Sequence, residues 1–177
     1  MHKCEYIQKN LNKYLNLPNS ETLFIFLQGI NVAVDFNIEL AYLEHNIEKN
    51  RYIINYWGGN IIKNNSEILK EKIPENIAKK INQLIKIALM IIENRPNNIS
   101  VFDGWTYYFY ERESNFFGST HSPDNSSLYG KLIILIKELL KILFINKENI
   151  IPEIFELKIS NLLEEFQKDG PQHITHD

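Results

Sequence analysis

One pair of residues, Asp103-Gly104, constrains the fold of this chain most. The pair lies between two β-prone runs, residues 101–102 and 105–110. An Asp-Gly pair in this setting is typical of a tight hairpin, because a type I′ turn needs two successive residues with positive φ. A polar turn then separates off a further short strand at 116–120. We therefore predict a three-stranded antiparallel meander in this part of the chain.

Further strands are predicted upstream. Apolar side chains alternate with polar ones from Val32 to Tyr42, which indicates a strand with one buried face and one face towards solvent. Residues 39–47 also fit a helical period. The runs 22–28 and 52–57 are short, apolar and rich in aromatic residues, as strands often are.

Amphipathic helices are predicted around these strands. Apolar residues recur at helical spacing in four segments, which begin near residues 3, 74, 128 and 152. The sequence therefore predicts an α+β fold, with an antiparallel sheet of five or six strands packed against amphipathic helices in the order α-β-β-β-α-β-β-β-α-α.

Length and composition favour one domain. A chain of 177 residues is long enough to bury a core without disulfides, and its one cysteine excludes an intrachain disulfide. We predict a single domain over 1–170 and a flexible tail over 171–177. No apolar signal segment opens the chain, and the most apolar stretch, 132–145, contains three charged residues. We therefore expect a cytoplasmic protein with no membrane segment.

Charge and sequence motifs argue against nucleic acids and nucleotides as ligands of this chain. The net charge of −3 and the pI of about 6.0 argue against nucleic-acid binding, which usually needs a basic surface. Gly58-Gly59 lacks the Gly-Lys-Ser/Thr ending of a phosphate-binding loop, and we interpret it as a plain turn. We predict no cofactor.

Two candidate chemical sites have simpler interpretations. His121, Ser122 and Asp124 are the residue types of a hydrolytic site, but neighbours in sequence rarely reach triad geometry, and capping of the next helix explains them better. His173 and His176, with His2 and Cys4 at the other end of the chain, do not form a recognisable zinc motif. We predict no metal site.

The hairpin around Asp103-Gly104, whose second strand 105–110 is rich in aromatic residues, is the strongest candidate for binding. Its residues are of the types that anchor protein interfaces, although aromatic residues also favour ordinary sheet packing. The surrounding segment, 96–130, has four acidic residues and one basic residue, which suits a basic partner. The predicted partner-binding residues are Trp105, Tyr108, Tyr110, Glu111 and Glu113, with the aromatic residues as apolar anchors and the glutamates facing basic side chains.

A partial resemblance points the same way. The segment 102–107, Gly118, the sequence His121-Ser122-Pro123 and the leucine-rich helix from Leu128 resemble a pattern in small bacterial α+β proteins of unknown function with an Asp-Gly hairpin. Some immunity proteins of polymorphic toxin systems belong to this group. The resemblance covers about a quarter of the chain, and it implies a cytoplasmic protein that acts by binding another protein.

Three hypotheses follow. The leading one is a non-enzymatic protein-binding domain, in its most specific form an immunity protein that neutralises a basic bacterial toxin. The second is a small hydrolase or transferase with a site near His121, using Asp124 or Glu111. The third is a subunit of a larger assembly or homo-oligomer, in which the helix with Phe155 and Phe166 faces a neighbour.

Overall fold

The computed structural model describes residues 22–30, 37–60, 68–93, 105–111, 116–121, 123–146 and 151–169. They form six strands, three α-helices and one π-helical turn. In chain order these are β1 (Thr22–Ile30), β2 (Asn37–Asn46), β3 (Arg51–Asn60), β4 (Leu69–Ile73), α1 (Glu75–Glu93), β5 (Trp105–Glu111), β6 (Phe116–His121), α2 (Leu128–Leu140), the π-helix Lys141–Ile145 and α3 (Glu153–Asp169).

The six strands form one antiparallel sheet in the order β4-β3-β2-β1-β5-β6. The first four strands are neighbours in sequence order, while β5 pairs with β1 on its other side. The chain therefore places β1 and β2 at the centre of the sheet and leaves the five-residue β4 at one edge.

The α+β class with antiparallel strands is confirmed, whereas the predicted order of elements is not. Residues 69–73 form β4, a strand that the predicted order does not have between the strand at 52–57 and the helix from residue 74. Gly58 and Gly59 lie inside β3 and do not end it. Residues 39–46 belong to a strand, so the helical alternative for this segment is wrong. The predicted first helix, strand 101–102 and tail 171–177 lie outside the described residues.

Three helices cover one face of the sheet. On α1 an apolar stripe repeats every three or four residues, and this stripe is buried against the strands. The resulting hydrophobic cluster includes side chains of β2, β3, β4 and β5 together with all three helices. The sheet contributes Ala41, Leu43, Tyr52, Ile54, Ile73, Tyr107 and Phe109. We call this side the helix-covered face.

The start of α2 is fixed by its own polar groups. Ser127 is the N-cap, and its Oγ accepts a hydrogen bond from the backbone N of Gly130 at 3.1 Å. The same Oγ donates to the carbonyl oxygen of Asp124 at 2.6 Å. A Cβ at Gly130 would lie 2.0 Å from that carbonyl oxygen, so only glycine allows the loop to approach the helix this closely.

Ion pairs hold α3 against both other helices. Lys80 of α1 contacts Glu156 at 2.7 Å, and Lys158 of α3 contacts Glu138 of α2 at 2.6 Å. Lys131 of α2 adds a third pair with Glu165. Because these pairs are partly exposed, they fix the orientation of α3 more than they stabilise the fold. No helix in the described part of the chain has the length and apolar run of a membrane span.

Candidate functional site

The predicted partner-binding residues fall mainly on β5. This strand contains Trp105, Tyr108, Tyr110 and Glu111. For Trp105 and Tyr108 the structure describes only the position in the strand. Glu113 lies outside the described residues. The structure therefore brings four of the five predicted residues onto one strand, whose neighbours are β1 and β6.

Strand alternation divides these residues between two faces of the sheet. Tyr107 and Phe109 belong to the hydrophobic cluster of the helix-covered face. Glu111 is in the same alternate set as these two residues, as is position 105. Its side chain is 0% exposed, so Glu111 does not present a carboxylate to a partner at the surface of this chain. Its predicted role, facing basic side chains of a partner, needs a carboxylate at the surface, whereas Glu111 is buried in this chain.

Tyr110 belongs to the other alternate set of β5, together with position 108. The register pairs Tyr110 with Ile25 of β1, and Ile25 in turn with Tyr42 of β2. The next strand continues this row, because Tyr42 pairs with Asn55 of β3. Tyr110, which is half-buried, therefore shares one cross-strand row with Tyr42 and Asn55 on the second face of the sheet.

The second face carries a compact group of buried side chains. Leu40, Tyr42 and Trp57 are buried but stand outside the hydrophobic cluster that contains the helices. Glu44 lies two residues after Tyr42 on β2, and Asn55 of β3 pairs with Tyr42. Both are also buried. The strand prediction for 32–42 expected one face towards solvent, yet both alternate sets of β2 are buried from Leu40 to Leu43. We call this group the second-face cluster: Leu40, Tyr42, Glu44, Asn55 and Trp57.

A buried hydrogen bond joins the two polar members of the second-face cluster. The Nδ2 of Asn55 donates to Oε2 of Glu44 at 3.1 Å, and a weaker contact of 3.5 Å runs to the carbonyl oxygen of Ile53. The Oδ1 of Asn55 is buried and has no hydrogen-bond partner in the described part of the chain. Since an unpaired buried acceptor costs about 1–3 kcal/mol, this atom is an unusual feature of the sheet.

The pKa of the Tyr42 hydroxyl is shifted by the same buried surroundings. Burial raises the pKa of Tyr42 to about 12, and the negative charge of Glu44 adds to the increase. Both causes disfavour the phenolate, so Tyr42 stays protonated at neutral pH. The second-face cluster thus combines a carboxylate, a neutral phenol and an amide oxygen with two apolar side chains.

The loop after β6 acts as a helix cap. Asp124 accepts a hydrogen bond from the backbone N of Ser126 at 2.7 Å and another from its hydroxyl, and these bonds lower the pKa of Asp124. Asp124 is exposed, and His121 is described as a strand position alone. Ser122 lies outside the described residues. The contacts of Asp124 match the capping interpretation of this loop.

Metal ligands do not cluster in the described residues. No group of three or more histidine, cysteine, aspartate or glutamate side chains is arranged there to hold a metal ion. The candidates His2, Cys4, His173 and His176 lie outside these residues.

The apolar stripe of the last helix is buried within the chain itself. Phe155 and Phe166 pack into the helix-side hydrophobic cluster and are almost completely buried. The third hypothesis expected them to face a neighbouring subunit. Because they are buried, they are not available for that contact. The apolar residues that α3 leaves exposed are Ile154 and Leu157.

Sequence reasoning missed the second-face cluster. The one local indication is Asn55, an amide in the middle of the β-prone run 52–57. Its contact with Glu44 depends on the β2–β3 register, which the sequence pattern does not define. No family model, curated protein or solved structure matches this chain.

Proposed function

We propose that this chain is a non-enzymatic, cytoplasmic protein-binding domain that recognises a basic protein, with toxin neutralisation as its most specific form. The observation that carries the proposal is the composition of the second face. One row across β3, β2, β1 and β5 runs through Asn55, Tyr42, Ile25 and Tyr110, so two phenols and an amide share it with one apolar residue. A buried sheet face built only for stability would hold mainly apolar residues.

Charge supports a basic partner. The protein has a net charge of −3. Complementary charge speeds association and excludes partners of the wrong sign. Within the proposal, Tyr110 is an apolar anchor, whereas the buried Glu111 has a role inside the sheet.

Binding to the protein encoded beside this one tests the proposal. We expect a stoichiometric complex by isothermal titration calorimetry. Tyr110→Ala should weaken it by about 2 kcal/mol or more, which is roughly 30-fold in Kd, because a truncated aromatic anchor loses its buried contact. Leu157→Ala is the matched control, since Leu157 is exposed on α3, away from the sheet.

Urea unfolding of each variant separates a binding defect from a folding defect. If Tyr110→Ala folds normally and binds as tightly as the unchanged protein, the second face is not the interface. If the chain is recovered alone in repeated low-salt purifications from its host, the binding function itself is wrong.

A further inference from the structure

The second-face cluster is buried, although the described helices pack on the other side of the sheet. Leu40, Tyr42 and Trp57 are at most 7% exposed, and they stand outside the hydrophobic cluster to which α1, α2 and α3 contribute. Neighbours in the same sheet screen a side chain only from the sides, so burial this complete needs a further layer above the strands. The rest of the chain has to supply that layer.

Among the segments outside the described residues, 1–21 has the length and the pattern for such a layer. The next longest, 94–104, has eleven residues and ends in the predicted Asp103-Gly104 turn. In the first segment, apolar residues recur at helical spacing and form one stripe. The stripe consists of Cys4, Ile7, Leu11, Tyr14 and Leu15.

The position of this segment in the chain brings it to the cluster. It joins the sheet at β1, where Thr22 pairs with Glu44 of β2. The five residues 17–21 can span up to about 17 Å, which is enough to turn back over the sheet. A helix over 3–16 is about 21 Å long, and β2 measures about 14 Å from Glu44 to Leu40. One helix therefore reaches over the whole cluster.

We propose that residues 3–16 fold as an amphipathic helix that packs its apolar stripe on the second-face cluster and forms a third layer of the domain. A helix about 10 Å wide covers about two strands, since strands lie about 4.8 Å apart. It therefore covers β2 and β3 and leaves the half-buried Tyr110 of β5 open to a partner. Charge agrees with this placement, because 3–16 has three lysines and one glutamate and the cluster contains the carboxylate of Glu44.

Thiol labelling of the intact chain tests the helix. The chain has one cysteine, so in a Cys4→Ser background a new thiol is the only one that reacts. Leu11→Cys lies in the stripe, and Lys9→Cys lies about 200° away, on the opposite side of a helix. We expect Leu11→Cys to react about tenfold or more slowly than Lys9→Cys with a disulfide reagent, because a buried thiol reacts only when the segment opens. Equal rates would overturn the proposal.

Two variants of β3 test where the helix packs. Trp57→Ala removes part of the second-face cluster, whereas Ile54→Ala leaves a cavity on the helix-covered face. Labelling is measured under conditions where urea unfolding shows each variant to be folded. We expect Trp57→Ala to speed the labelling of Leu11→Cys about tenfold or more, and Ile54→Ala to change it less than about twofold. An equal increase in both variants, or in neither, would contradict this docking site.

A spin label keeps the placement testable if Trp57→Ala does not fold. A nitroxide on Lys9→Cys should broaden the indole NH signal of Trp57 in the NMR spectrum. A nitroxide on Leu157→Cys, at an exposed position of α3, should broaden this signal much less. Trp57→Phe assigns the signal, since the chain has only two tryptophans. If Lys9→Cys causes no broadening, the helix does not lie on the second face.

Concentration distinguishes this chain's own segment from a second copy as the cover. Protection of Leu11→Cys that is the same at all protein concentrations supports packing within one chain. Protection that is lost on dilution would show that a second copy supplies the helix, and it would overturn the assignment. Because Tyr110→Ala tests partner binding separately, failure of the labelling test leaves the protein-binding proposal standing.

Discussion

Both faces of the sheet carry buried side chains among the described residues, but these side chains differ in kind. On the helix-covered face, Ile54 lies among the apolar side chains of the strands and helices. Its neighbour in sequence, Asn55, points to the second face and carries a buried oxygen without a partner in the described part of the chain. The hydrophobic cluster of the first face follows the usual rules for stability, whereas the pair Glu44 and Asn55 on the second face departs from them. Departures of this kind are expected where a protein binds something.

The largest expected effect concerns the helix-covered face. Ile54→Ala should lower the free energy of unfolding by about 2–5 kcal/mol, because it removes buried methyl groups and leaves a cavity. Urea unfolding followed by circular dichroism measures the change. Ile47→Ala, at an exposed turn position, is the control and should change stability by less than about 0.5 kcal/mol. A small effect at Ile54 would mean that this face is not the main core.

The next effect tests how the helix layer is attached. In Gly130→Ala the new Cβ would meet the backbone of Asp124 and Asn125. We expect a loss of about 1–3 kcal/mol from this clash, larger than the gain of about 1 kcal/mol that alanine brings to a helix. Gly58→Ala is the matched control, since the atoms nearest its Cβ would be those at the hydroxyl end of the Tyr56 side chain and not backbone atoms. Stabilisation by Gly130→Ala would show that the loop is not held against α2.

The third prediction concerns the pKa of Tyr42 on the second face. Because its folded pKa is raised from 10.0 to about 12, Tyr42 contributes stability that is complete below pH 10 and is lost as the pH rises towards 12. Glu44→Gln should lower this pKa while leaving it above 10, since burial is the larger cause. Ultraviolet titration of tyrosine ionisation measures it, and an unchanged pKa would place Glu44 too far away to act.

The smallest expected effect tests most directly whether the two faces of the sheet differ in their contribution to stability. Asn55→Leu removes the acceptor Oδ1, whose burial without a partner costs about 1–3 kcal/mol, but it also takes the donor away from the buried Glu44 carboxylate, which costs about as much. The free energy of unfolding should therefore change by less than about 1 kcal/mol. The measurement is the urea midpoint beside that of Ile54→Ala. A loss as large as at Ile54 would show that both faces are equally optimised for stability.

The sequence predicts those elements whose own residues determine them. The stripe of α1 has a clear helical period, and Pro74 and Glu75 are favourable at its start, so the start of this helix was predicted to within one residue. Strand β4 was missed because its sequence, Leu-Lys-Glu-Lys-Ile, has no strong local preference. Pairing with β3 stabilises it as a strand, and that pairing is tertiary.

The candidate site also has some features that the local sequence determines and others that depend on tertiary pairing. Alternation along 105–110 correctly separates Tyr107 and Phe109 from Tyr110. The burial of Glu111 could not be predicted, because it depends on what covers the end of β5. The contact between Glu44 and Asn55 joins residues that are eleven positions apart, and the β2–β3 register alone determines it.

The edge strand β4 has a consequence for how a partner can approach. It is five residues long, four of them exposed, and three of these four are charged. Short, charged edge strands resist the addition of a foreign strand, which is a common way for proteins to capture extended peptides. A partner therefore gains little by extending the sheet at β4. This edge also protects the chain from assembling through its own strands, so the sheet stays closed to further strands on this side.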